Sequence, residues 1–224
     1  MKKILAFLMM MALVTVTFAQ NNQYTKSNQS DPAAKKLLDK VKAKYESYKT
    51  MQADFTLTIE IPEEAAEVQK GKFMQSGEKY RLEAEAQTMV SDGETLWLHM
   101  KNSEEVQIND VEEDEGDILS PSSFLSFYES EEFVYFLVNE FPEDGVVVQQ
   151  IEFKPLDEDS EYHKVRLTLN KKTNDVMRIK AFSKDGSRFT FELGKLIANP
   201  AIPEATFKMV KSECPECHWE DMRI

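Results

Sequence analysis

Between Met51 and Ile61 apolar and polar residues alternate without interruption. Met51, Ala53, Phe55, Leu57, Ile59 and Ile61 hold the odd positions, and Gln52, Asp54, Thr56, Thr58 and Glu60 stand between them. Side chains of a strand alternate between its faces, so this stretch predicts a strand with one dry and one wet face. A slip of one residue would turn the whole dry set toward water, which fixes the register. Upstream the period changes. Ala34, Leu37, Leu38, Val41, Tyr45 and Tyr48 recur at helical spacing behind Asp31-Pro32, an N-cap followed by a first-turn proline. The spacing predicts a helix over Asp31–Lys49 that lays its stripe on the sheet.

Downstream the two-residue period returns repeatedly. Lys70–Met74 and Glu78–Ala86 read as strands around Ser76-Gly77. Asp92-Gly93 between apolar flanks predicts a tight hairpin, and Glu104–Asn109 a further short strand. Ser120-Pro121-Ser122 opens a short helix bearing Phe124, Leu125, Phe127 and Tyr128, and Phe133–Val138 reads as a strand. Val146–Leu156, His163–Asn170, Val176–Ser183 and Arg188–Leu196 form a meander, and Ala205–Val210 a last strand.

Antiparallel strands joined by tight turns curl, and two helices are few for so long a sheet. The expected fold class is therefore α+β: a curled antiparallel β-sheet forming an incomplete half β-barrel, covered by the N-terminal helix and a short lid helix. Parity assigns Phe55, Leu57, Ile59, Phe73, Leu82, Leu96, Leu98, Phe189 and Phe191 to the inner face, and Phe124 and Leu125 to the lid. Trp97 has the opposite parity to its neighbours and belongs outside or at the rim. Alternation does not tell whether protein alone or protein with an apolar guest covers the dry face. The 14 Phe and 11 Met suit either a packed core or an adaptable apolar surface.

The first 19 residues open with Lys2-Lys3, run apolar from Ile4 to Phe18 and end on Ala19, the pattern of a cleaved secretory signal peptide. Residues 20–30, rich in Asn, Gln and Ser, read as a disordered leader, and 31–224 as a single domain. A periplasmic location and a monomer are the expectations. A net charge of −13 repels phosphate backbones, which argues against nucleic acid as a partner.

Candidate chemistry is sparse. Asn109–Asp117 lacks the ligand spacing of a calcium loop and reads as a solvated acidic segment. No nucleophile elbow, phosphate loop or dinucleotide fingerprint is present, so no enzyme is expected. Cys214-Pro215-Glu216-Cys217-His218 matches the attachment pattern of c-type haem, but at its place in the last residues of the sequence it is not expected to be wrapped around one. Zinc would need more Cys or His in the neighbourhood, and a redox pair a helix start. A disulfide between Cys214 and Cys217 is the favoured reading, with no cofactor and no metal.

The order of motifs resembles the periplasmic outer-membrane lipoprotein carrier family, LolA. The resemblance rests on Ala53-Asp54-Phe55 in the first strand, Gly71-Lys72-Phe73 in the second, and the hairpin Val90-Ser91-Asp92-Gly93-Glu94-Thr95-Leu96-Trp97. It extends to Ser120-Pro121-Ser122-Ser123-Phe124-Leu125 and Phe207-Lys208-Met209. Well-studied members carry Lys-Arg-Pro after the second strand, whose Arg ties the lid to the barrel; this chain has Gln75-Ser76-Gly77 there. The resemblance implies a half-barrel that shields the acyl chains of a lipoprotein. It implies acylated lipoprotein cargo received from an inner-membrane release complex and passed to an outer-membrane acceptor. A lipid sensor or scaffold of the same fold, and a haem or redox protein using the tail motif, are the alternatives.

Overall fold

The computed structural model describes residues 29–111, 128–129 and 132–223. The predicted signal peptide, most of the leader, and Phe124 and Leu125 of the predicted lid lie outside them. Helix α1 spans Pro32–Glu46. Asp31 caps it, its carboxylate accepting from the Ala33 amide at 2.8 Å. The helix stops short of the expected Lys49 because the Ser47 hydroxyl donates back to the Lys44 carbonyl at 2.6 Å, and Lys49 turns away to donate to Asn199.

Among the described residues, thirteen strands make one sheet. They are β1 Thr50–Glu60, β2 Glu67–Ser76, β3 Lys79–Ala84, β4 Gln87–Ser91, β5 Thr95–Met100 and β6 Glu105–Asp110. After them come β7 Phe133–Glu143, β8 Val146–Pro155, β9 Tyr162–Asn170, β10 Val176–Ser183 and β11 Arg188–Leu193. Short β12 Ile197–Ala198 and β13 His218–Asp221 complete it. Their order is β13-β6-β5-β4-β3-β2-β1-β11-β10-β9-β8-β7, with β12 beside β1. The first strand is thus central. One meander runs from it to β6, and the other returns to it through β11. The sheet is curled and unclosed, with β13 and β7 at its ends.

The hairpin between β4 and β5 shows why its sequence is so specific. Asp92 Oδ1 accepts from the amides of Glu94 and Thr95, Ser91 Oγ accepts from Gly93, and Gly93 takes a φ of +94° that favours glycine. At β7 a bulge after Leu137 leaves Val138 unpaired. Beyond it Phe141 and Glu143 lie on the outer face, where Glu143 takes two hydrogen bonds from Arg178. A second bulge leaves Met177 without a partner, so Val176, not Met177, joins Ile179 and Ala181 on the inner face.

The C-terminal segment departs from expectation. Ala205–Val210 is not a strand: Glu204–Phe207 is a 3-10 turn followed by extended chain without a ladder. The Thr206 carbonyl accepts from Arg81 instead of a strand neighbour. The segment crosses the outer face, where Met209 and Cys217 close over Val90, Trp97 and Val106 in a second apolar core. Trp97 does point outward, and it is buried there. The tail then adds β13 parallel to β6, pairing His218 with Glu105.

Candidate functional site

The ladders place all nine candidate inner-face residues on one side of the sheet. Ala53, Phe73, Leu82, Met89 and Leu98 follow one another across β1 to β5. Leu57 opposes Phe191, which opposes Ile179, and Ile59 opposes Phe189, which opposes Ala181. The rows continue through Leu167 and Val165 to Ile151 and Phe153 on β8, and to Leu137 and Tyr135 on β7. These last residues are missing from the parity assignment, although the same two-residue alternation runs through them.

Depth divides the nine. Phe55, Phe73, Leu82 and Phe191 are buried, while Leu57, Ile59, Leu96, Leu98 and Phe189 are half-buried. The middle of the face is filled by the protein itself. The Phe55 ring stacks on Phe191 with centroids 4.7 Å apart and lies across Gly71, where a Cβ would stand 2.3 Å from its Cζ. Burial falls away along β1, from Met51, Ala53 and Phe55 to half-buried Leu57 and Ile59 and then to exposed Ile61. Polar Gln69 and Glu67 of β2 border this apolar margin.

Helix α1 covers the face with Ala34, Leu37, Leu38, Val41 and Tyr45. Polar ties fasten both its ends. At the start, the Asp31 amide donates to the Tyr135 carbonyl at 2.9 Å and its carboxylate accepts from the Leu137 amide at 3.3 Å, closing the β7 edge. At the other end, Tyr45 Oη accepts from the Val176 amide at 3.0 Å. Burial pushes the Tyr45 phenol well above its ordinary range, so it stays neutral. Lys44 reaches the Thr173 carbonyl at 2.7 Å and pairs with Asp175. Gln75, in place of the Lys-Arg-Pro segment, is buried on the inner face and donates to the Gly77 carbonyl at 2.8 Å, closing the β2–β3 turn.

Cys214 and Cys217 are bonded to each other, so the two sulfurs that haem attachment would consume are already joined. The fold also brings His99 of β5 beside them, a neighbour that the sequence around the motif does not reveal. Burial holds the His99 imidazole below its ordinary value. The outer face of β8 to β11 is polar instead. A groove of about 430 Å³ is lined there by threonines and by opposed charges, among them Arg166, Arg178, Lys180, Glu60, Glu143 and Glu192.

An unclosed antiparallel half-barrel, dry inside and sheltered by one N-terminal helix, defines the class of lipoprotein-carrier-like half-barrels. Residues 46–210 match the family model described as outer membrane lipoprotein carrier protein LolA, and the chain belongs to that family. Over 122 residues it is 29% identical to the outer-membrane lipoprotein carrier protein of Dechloromonas aromatica (strain RCB), a match covering 54% of this chain and 56% of that protein. The chain therefore spans about half the length of the curated relative it matches. A solved structure of an uncharacterized conserved protein from Thermus thermophilus aligns with a TM-score of 0.56 at 12% identity, over 86% of this chain and 99% of that one. A LolA-superfamily protein from Nitrosomonas europaea aligns with a TM-score of 0.41 at 12% identity, over 79% and 97%. The likeness to the Thermus structure is one of fold.

Proposed function

We propose that the protein is a periplasmic carrier that binds the acyl chains of lipoproteins at its inner face and ferries them from the inner to the outer membrane. The observation that carries this reading is the half-buried margin formed by Leu57, Ile59 and Phe189. It continues the buried core of Phe55 and Phe191 outward to exposed Ile61.

Leaving an acyl chain of about fifteen methylenes in water costs on the order of 10 kcal/mol, at about 0.8 kcal/mol per methylene. Apolar contact recovers part of that cost without any chemistry. Phe55 and Phe191 fill the middle of the face. A guest therefore lies first along the margin, with the fastened helix beside it. Family membership supports the cargo class, while the donor and acceptor complexes are part of the proposal.

The test is binding of a fluorescent acyl probe, with mass spectrometry of lipid extracted from purified protein. Phe189→Asp removes the contact of roughly two methylenes, about 1.5 kcal/mol, and should weaken binding more than about tenfold. Val68→Asp places the same charge on the outer face of β2, opposite Thr58, and should leave affinity unchanged. A wild-type protein with neither bound lipid nor probe binding would end the proposal.

A further inference from the structure

We propose that Cys214, Cys217 and His99 form a redox-gated zinc site on the outer face, independent of acyl binding. The ligand atoms of the three residues all lie within 4.8 Å of one another, and His99 Nε2 stands 3.5 Å from Cys217 Sγ. A tetrahedral zinc with Zn–S near 2.3 Å and Zn–N near 2.0–2.1 Å sets a nitrogen-to-sulfur distance of roughly 3.5 Å. That spacing is already present. The Cα atoms of the two cysteines are 5.4 Å apart, and Cys-x-x-Cys is a recurrent zinc-ligand spacing. Two thiolates, one neutral imidazole and an open fourth position for water make a borderline-soft donor set suited to this ion.

The disulfide is not what assembles these donors. Cys217 is placed by β13, whose His218 amide donates to the Glu104 carbonyl at 2.9 Å, and by its own amide bond to the Cys214 carbonyl at 3.3 Å. The Trp219 indole donates to that same carbonyl at 3.1 Å. His99 is placed by the β5–β6 ladder opposite Val106. These hydrogen bonds survive scission of the S–S bond, so reduction leaves the three donors gathered. Cys217 is buried while Cys214 and His99 are half-exposed, so an ion has a way in.

The gate is a balanced exchange. A dithiol reductant supplies two electrons and two protons, the S–S bond breaks to two thiols, and the reductant leaves as its own disulfide. Zinc then binds the two sulfurs as thiolates and releases their two protons. The oxidised protein has no thiolate to offer and does not bind.

Cobalt(II) serves as the spectroscopic probe, titrated without oxygen into the full chain before and after reduction by a phosphine. Reduced wild type should show a thiolate-to-cobalt charge-transfer band with the visible bands of a tetrahedral site, displaced by zinc, and oxidised protein should show neither. His99→Ala should weaken cobalt binding by about a hundredfold, at least the upper end of what loss of a supporting partner costs. Circular dichroism of the reduced protein and of the variant checks that both stay folded. Absence of the charge-transfer band in folded, reduced wild type would overturn the proposal, as would unchanged affinity in His99→Ala. Acyl-probe affinity should be the same in both redox states, which separates this site from the inner face.

Discussion

Gly71→Ala measures how tightly the middle of the inner face is closed. Gly71 lies directly opposite Phe55 in the β1–β2 ladder. A Cβ there would stand 2.3 Å from Phe55 Cζ and 2.2 Å from the Glu83 carbonyl oxygen, against roughly 3.5–4.0 Å for comfortable carbon contacts. The ring cannot simply retreat, because Phe191 stacks on it. The carbonyl belongs to the backbone of β3 and moves only with its strand. Overpacking of this kind costs about 1–3 kcal/mol, and a weakened ladder hydrogen bond adds on the order of 1 kcal/mol. The expected loss is about 2–4 kcal/mol, which for a domain of this size lowers Tm by roughly 5–15 °C. Thermal and urea unfolding measure it, with the urea slope unchanged if only the native state is affected. Adding Phe55→Ala removes one of the two collisions, so the double variant should be more stable than the sum of the singles by about 1 kcal/mol or more. A Gly71→Ala protein melting within about 2 °C of wild type, or strict additivity, would refute the packing argument.

Two further outcomes follow from the ties around the sheet. Asp31→Ala removes both the cap of α1 and the acceptor for the Leu137 amide, so it should cost about 2 kcal/mol and speed exchange of that amide proton more than exchange at Ile151. Glu152 accepts from Arg166 at 2.9 Å and lies 3.3 Å from Lys164. Burial raises its pKa, but the two cations outweigh burial and hold the carboxyl below its ordinary value of 4.5. A depressed carboxylate contributes stability above that ordinary value and loses it as pH falls through the folded value. Glu152→Gln should therefore be less stable than wild type at pH 7, by about 1.5 kcal/mol, and the gap should shrink as pH drops below 4.5 in urea unfolding.

Local rules make much of this architecture readable. Alternation from Met51 to Ile61 sets the strand, its register and its dry face, and Asp92-Gly93 sets the hairpin, because both are encoded within a few residues. Parity tells the face but not the depth. Phe55 and Ile59 share parity, yet one is buried and the other half-buried, because burial fades along β1. The C-terminal segment misleads for a related reason. Phe207 and Met209 alternate like a strand and are both buried, but Phe207 closes a 3-10 turn and Met209 sits in unpaired chain over the outer face. His218–Asp221 carries no apolar alternation at all and becomes a strand only because the edge of β6 is free to pair. His99 and Cys217 are 118 residues apart, and only the parallel docking of β13 on β6 makes them neighbours.

The same docking explains why so small a tail carries so much order. An exposed β6 edge would offer unpaired amides and carbonyls to any extended chain. Parallel β13 covers that edge, while Asp31 and Ser30 occupy amides at the opposite edge, on β7. Both ends of the open sheet are thereby blunted without closing the barrel. Closure would have removed the edges too, but it would also have fixed the curvature of the inner face. In an open sheet with capped edges the two end strands are not joined, so curvature is not fixed by closure. If the guest is an acyl chain, the half-buried margin at Leu57, Ile59 and Phe189 lies at the middle of the strand order, where a change of curvature acts on the exposed apolar area.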